Sequence, residues 1–214
     1  MMMNIYKYSS KNPKFLVVTP LKTGDKISPD TIKTMLNNNI EFDWIMYEGD
    51  NNIPSNTVSG ITEYEKKNKP LPYVIKLDNN TMWQKNTLDN MYKTIIKSKK
   101  NVAYVYTSFQ FKKNDIPVAS FMNIPFDANR LRQANFISSN SMIKRALLKQ
   151  CPFITNEKYK RLLDYAHWLS FLKKGYIGKL SKGYFYSIMN EGNVSSGNQQ
   201  DYITKLRRVH ADFL

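Results

Sequence analysis

The sequence predicts an α/β domain, and three observations carry that prediction. Short apolar, β-branched runs alternate with stretches whose apolar residues recur every three or four positions. One run, Tyr73-Val-Ile-Lys-Leu-Asp-Asn-Asn80, ends abruptly in an acid and amide cluster, the pattern of a buried strand that delivers Asp78 to the end of a sheet. Farther on, Leu162, Tyr165, Leu169 and Leu172 form a core-facing helical stripe, with Asp164 at its edge one turn from Trp168. A carboxylate beside a core stripe is costly. Strand-end acids at the carboxyl edge of an α/β sheet commonly hold a ligand, so Asp78 and Asp164 are expected to face one crevice as a ligand donor and a base.

The elements follow in order. Phe15 to Thr19 reads as a first strand, and Ser28-Pro29-Asp30 starts a helix through Ile32, Met35 and Leu36, with proline in its first turn. Phe42 to Tyr47 is a second strand ending at Glu48-Gly49-Asp50. Thr57 to Lys67 is expected to be helical, and Lys69-Pro-Leu-Pro72 introduces the Tyr73 strand. Thr87 to Lys97 is a helix on Leu88, Met91, Tyr92 and Ile95, followed by a strand from Val102 to Thr107. Phe109 to Phe121, interrupted at Lys112-Lys-Asn-Asp115, predicts a hairpin. Ser138, Ser139 and Ser141 read most simply as caps of a helix from Met142 to Gln150. The helix bearing Asp164 spans Tyr159 to Lys174 and stops at Gly175. Strands at Tyr176 to Leu180 and Tyr184 to Ile188, a loop over Asn190 to Ser196 and a basic amphipathic helix from Gln199 to Phe213 complete the chain.

A chain of 214 residues with 42% hydrophobic and 13% aromatic residues can bury one sizeable core and is not disordered. Residues 1–214 are read as a single domain. The lone cysteine, Cys151, excludes a disulfide framework and a cysteine-based zinc site, and is read as a packing residue in a reducing compartment. No run approaches the roughly 20 apolar residues of a bilayer span, and Met1 to Lys14 is too polar for a signal peptide. A cytoplasmic location is expected, with no transmembrane segment. The net charge of +15 would attract a polyanion, yet only six of the 32 basic residues are arginine, the residue favoured for bidentate phosphate and base recognition. No specific nucleic-acid partner is therefore expected.

Seven segments then carry a resemblance. Val18-Thr-Pro20, Tyr47-Glu-Gly-Asp50, Lys76-Leu-Asp-Asn-Asn80 with Trp83 and Leu88, Asn135-Phe-Ile-Ser-Ser-Asn-Ser-Met-Ile-Lys-Arg145, Leu163-Asp-Tyr-Ala-His-Trp-Leu169, Lys174-Gly-Tyr176 and Asn190-Glu-Gly-Asn-Val-Ser195 occur in sequence. This order resembles family-2-like glycosyltransferases of the GT-A fold, over nearly the whole chain. The small size and the Asn- and Lys-rich composition also look like glycosyltransferase domains of large DNA viruses such as the chlorella viruses, for which the location would be the host cytoplasm.

The resemblance implies a GT-A fold, with a mixed, mostly parallel central sheet flanked by helices. It implies transfer of a sugar from a nucleotide diphosphate sugar, most simply a UDP-sugar, to the hydroxyl of a glycan or protein-linked glycan, with inversion. By this resemblance Thr19, Pro20 and Leu21 match a first-strand loop that touches the nucleoside, Glu48 the acid that holds base or ribose, and Leu77, Asp78 and Asn79 the donor-binding strand end. Asp78 and Asn80 would hold Mn²⁺ or Mg²⁺, and Asp164 matches the catalytic base. Physically the set is coherent: a cation neutralises the leaving diphosphate and a base takes the proton of the attacking hydroxyl.

The sequence also departs from the family pattern. Asn80 stands where a second acid is usual, Leu163 where a Glu precedes the base, Ala166 where an acid is common, and Asn190 where a His often completes the metal site. Amide oxygens carry no charge, which should weaken a divalent cation site. Plainer readings stay open beside these. Asp78-Asn79-Asn80 is also good turn chemistry, and Asp164 could be a solvated helix acid paired with Lys160 or Arg161. His167 is read as a surface or packing residue, Trp83 and Trp168 as core. Two other function classes fit part of the pattern: a nucleotidyltransferase, disfavoured by the single glycine in Leu21-Lys-Thr-Gly-Asp25, and an inactive module that binds a nucleotide, glycan or polyanion.

Overall fold

A computed structural model of the chain describes residues 5–50, 52–189 and 199–214. Its strands are β1 (Ile5–Tyr8), β2 (Leu16–Leu21), β3 (Asp43–Glu48), β4 (Tyr73–Lys76), β5 (Thr81–Trp83), β6 (Val102–Lys113), β7 (Ile116–Phe121), β8 (Met142–Lys144) and β9 (Ile177–Ile188). The helices are α1 (Pro29–Leu36), α2 (Ile53–Glu65), α3 (Thr87–Ile96), α4 (Ala128–Gln133), α5 (Leu163–Lys173) and α6 (Gln199–Phe213). One mixed sheet runs in the order β1-β3-β2-β4-β8-β6-β9-β5, with β7 paired to β6. Its parallel pairs are β2–β3, β2–β4 and β6–β9. The other five described pairs are antiparallel, so the sheet is mixed rather than mostly parallel, with β3, β2 and β4 mutually parallel and a second parallel ladder between the two long strands β6 and β9.

Strand alternation splits the core into two layers, one on each face of the sheet. Val18, Val74 and Tyr104 join Ile61 and Tyr64 of α2, Leu131 of α4, Val209 of α6 and the apolar stripe of α5. Their neighbours Val17, Ile75 and Val105 point the other way, to Met35 of α1 and Leu88, Met91 and Ile95 of α3. By the same alternation Lys76, two residues after Val74, belongs to the α5 face. No helix among the described residues is long and apolar enough to cross a bilayer.

Several boundaries differ from the sequence reading. The segment expected as a helix from Met142 to Gln150 is instead strand β8 followed by a 3₁₀ helix, Arg145–Lys149. Met142 and Ile143 are each fully buried in opposite core layers, and the backbone there pairs with both β4 and β6, so tertiary pairing overrides the local helical spacing. The Asp164 helix begins at Leu163 rather than Tyr159, because Arg161 has φ 78° and breaks the helical path. It ends as expected: the Gly175 amide donates to Leu172 O at 2.9 Å and the Tyr176 amide to Phe171 O at 3.0 Å, with Gly175 at φ 80°. α2 starts earlier than expected, at Ile53, with the Asn52 side chain accepting from the Ser55 amide and Pro54 in the first turn. The two C-terminal strands are one long strand. Gly183, at φ 113°, lets it bend past Thr87, where a Cβ would come within 2.7 Å of that side chain.

Candidate functional site

β4 ends at Lys76, and the chain then carries Leu77, Asp78, Asn79 and Asn80 across the end of the sheet before β5 begins. Leu77 is fully buried and donates its amide to Val18 O at 2.8 Å, continuing the pairing with β2. Beyond that anchor Asp78 is partly exposed, and Lys76 links it to the first turn of α5. Asp78 is gripped by the segment just before β8: its amide donates to Asn140 Oδ1 at 2.8 Å, while its Oδ2 accepts from Ser139 Oγ at 2.7 Å and Asn140 Nδ2 at 3.3 Å. The serines expected to cap a helix therefore serve Asp78 instead; Ser139 orients it, and Ser138 and Ser141 tighten the turn that presents it.

Asp164 lies in the first turn of α5, on the other side of Lys76 from Asp78. Its partner is neither Lys160 nor Arg161. Lys76 Nζ donates to both oxygens of Asp164, at 2.9 and 3.2 Å, and stands 3.8 Å from Asp78 Oδ1. The lysine side chain is 4% exposed while both carboxylates are 36% exposed, so a buried cation underlies two acids that still face the solvent. Burial alone would lower the Lys76 pKa, but Asp164 and then Asp78 more than offset it, and the group is held above its ordinary value as an ammonium. Lys160 instead faces Glu157 and Arg161 faces Asp201.

The remaining expected residues are placed as follows. Thr19, Pro20 and Leu21, expected in a loop, are the last three residues of β2 and are buried. Thr19 Oγ1 accepts from Trp44 Nε1 at 3.0 Å, which holds its side chain in the α1 and α3 core layer, on the opposite sheet face from Lys76. Leu21 lies in register with Glu48 at the ends of β2 and β3. Glu48 Oε1 accepts from the Gly24 amide at 2.9 Å, holding the loop after β2. Asn79 Nδ2 donates to Lys26 O at 3.0 Å, and Asn79 O accepts from the Ser28 amide, so Asn79 fastens that loop to the strand end. Asn80 Nδ2 donates to Ile188 O at the end of β9. Asn190 lies outside the described residues.

This donor set does not fit the Mn²⁺ or Mg²⁺ expected on Asp78 and Asn80. Asp78 Oδ2 already accepts two hydrogen bonds, Oδ1 faces the Lys76 ammonium, and Asn80 offers an uncharged amide whose nitrogen is tied to β9. Among the described residues no group of three or more His, Cys, Asp or Glu is placed to hold a metal ion.

His167 follows Asp164 by three residues but is buried at 1% exposure, among Phe153, Trp168 and Phe171. Its Nε2–H donates to Cys151 O at 3.0 Å, and burial lowers its pKa to about 4. It is a neutral packing residue, as are the buried Trp83 and Trp168; Cys151 is buried beside it. Sequence reasoning assigned no role to Lys76 or Asn140 and read Ser139 only as a helix cap. Lys76 had a visible signal: a lysine inside an apolar strand, two positions before Asp78 and so on the same strand face. The Ser139 and Asn140 contacts depend on β8 pairing with β4, which no local pattern announces.

No family model and no curated protein matches the chain. Solved structures do. S. aureus TarS residues 1–349 in complex with UDP-GlcNAc superposes with a TM-score of 0.67 at 14% identity, covering 92% of this chain and 65% of that one. The same protein in complex with UDP gives 0.62 at 14% identity, over 93% and 64%. A longer S. aureus TarS structure gives 0.56 at 15% identity, over 92% of this chain and 39% of that one. This chain thus spans just under two thirds of the length of the first two. It has the GT-A fold expected from the sequence.

Proposed function

We propose that this chain is a glycosyltransferase that takes a nucleotide diphosphate sugar, most simply a UDP-sugar, and transfers the sugar to the hydroxyl of a glycan or protein-linked glycan. One observation carries the reading. Asp78, just past the end of β4, and Asp164, on a helix 86 residues later, are brought to either side of Lys76, partly exposed, and held by Lys76, Ser139 and Asn140. The fold that does this is shared with TarS chains solved with UDP-GlcNAc and with UDP.

In this reading the nucleoside lies over the ends of β2 and β3 near Leu21 and Glu48, and Asp78 fixes the ribose side of the donor. An acceptor hydroxyl enters beside Asp164. Its oxygen attacks the anomeric carbon, Asp164 accepts its proton, and the bond to the diphosphate breaks with UDP as leaving group. A single displacement with one base inverts the anomeric configuration. Lys76 aims Asp164 and fills hydrogen-bonding directions of that carboxylate, leaving the solvent-facing side for the acceptor.

The test has two parts. Calorimetric titration with UDP, GDP and CMP should give the tightest binding for UDP; equal affinity for all three would remove the UDP assignment. Asp164→Asn should keep UDP affinity while lowering transfer by about 10²–10⁴-fold. Transfer at the parental rate would return Asp164 to a structural role.

A further inference from the structure

We infer that donor binding at this site needs no divalent cation, because Lys76 already supplies a fixed positive charge between its two carboxylates. The inference rests on the donor reading just given for the identity of the ligand. Two features set it apart from the expectation of a metal. The first is the charge balance of the site. Asp78 and Asp164 contribute two negative charges, Lys76 one positive charge, and Asn80 none, so the cluster is only singly negative. A dication is drawn to a site that concentrates several anionic oxygens; this one has already answered half of its charge from within.

The second feature is steric and directional. The ammonium is 4% exposed and bonded to both oxygens of Asp164, so it cannot swing away to admit a metal. A cation coordinated by Asp78 Oδ1 would sit against the Lys76 charge, which is 3.8 Å from that oxygen. Oδ2 is occupied by the Ser139 hydroxyl and the Asn140 amide. The negative charge of a diphosphate is then met by lysines rather than by a metal. Lys22 and Lys26 are exposed on the loop after β2, and Asn79 ties that loop to the strand end by its bond to Lys26 O. The cost of bringing a polyanion to this site is further reduced by a chain of net charge +15.

The test is calorimetric titration of UDP into the full chain in EDTA and in millimolar Mn²⁺, together with titration of Mn²⁺ alone. The parent should bind UDP with affinities within about threefold in the two buffers and show no saturable Mn²⁺ binding below the millimolar range. Lys76→Met, which keeps the length of the buried stem, should lose at least tenfold in UDP affinity in EDTA, with Mn²⁺ recovering part of the loss. Asn80→Asp, independent of any folding defect at Lys76, should create a Mn²⁺ response that the parent lacks. Tenfold or greater weakening of parental UDP binding by EDTA would overturn the inference and leave the donor reading intact. So would unchanged UDP affinity in folded Lys76→Met. No UDP binding in either buffer would overturn the donor reading and this inference with it.

Discussion

Asp164 and His167 stand three residues apart on α5, and their surroundings decide opposite fates for two ionisable groups. Asp164 sits at the helix start, 36% exposed, with a buried lysine bonded to both its oxygens. His167, nearly one turn on, is 1% exposed among aromatic rings, and the one polar partner described for it is a carbonyl that accepts from its neutral form. Burial drives the imidazole to its neutral form, while Asp164 stays partly in solvent with a charged partner behind it. The Lys76 ammonium that pairs with Asp164 also disfavours a second positive charge on His167, and the aromatic cage makes that histidine a neutral packing element.

The largest effect expected from breaking this contrast is at the acid. Asp164→Leu strips Lys76 of its principal partner and leaves a buried ammonium facing only Asp78 at 3.8 Å. Unfolding in urea should show a loss of about 3 kcal/mol, the lower end for breaking a buried pair, since Asp78 remains. A loss below about 1 kcal/mol would mean that Lys76 escapes to solvent.

At the histidine, acid should act alone. The unfolded imidazole titrates near 6.5 and the folded one near 4, so between those values the unfolded chain binds more protons. Stability then rises with pH across the window: the full value is present above about 6.5 and falls as pH drops toward 4, by about 3 kcal/mol if His167 alone is responsible. His167→Gln retains a donor for Cys151 O and cannot titrate. Its urea midpoint should be less sensitive to pH over the same window, and an unchanged pH slope would assign the effect elsewhere.

The smallest effect sharpens the comparison from the lysine side. Lys76→Met removes the buried charge, while the carboxylates it leaves remain partly hydrated, so stability should change by no more than about 1 kcal/mol in either direction. The asymmetry between Asp164→Leu and Lys76→Met, measured in one double-mutant cycle, separates the cost of an orphaned buried cation from the value of the pair itself.

The sequence by itself determined the parts whose causes are local. Alternating apolar patterns located most strands and helices, Gly175 marked the end of α5, and the acid and amide cluster after Tyr73 placed Asp78 at a strand end. The apolar stripe of α5 put Asp164 at the border of the core. These follow from side-chain periodicity and backbone preference, which act over a few residues. The tertiary structure decided what depends on pairing across the chain. β8 replaced an expected helix because Met142 and Ile143 are claimed by both core layers, and that strand positions Ser139 and Asn140 on Asp78. Likewise, Lys76 and Asp164 are 88 residues apart in sequence and bonded at 2.9 Å in the fold. Side-chain pattern can say that a lysine lies on a buried strand face, but which charge meets it is fixed only when the helix carrying that charge packs against the sheet.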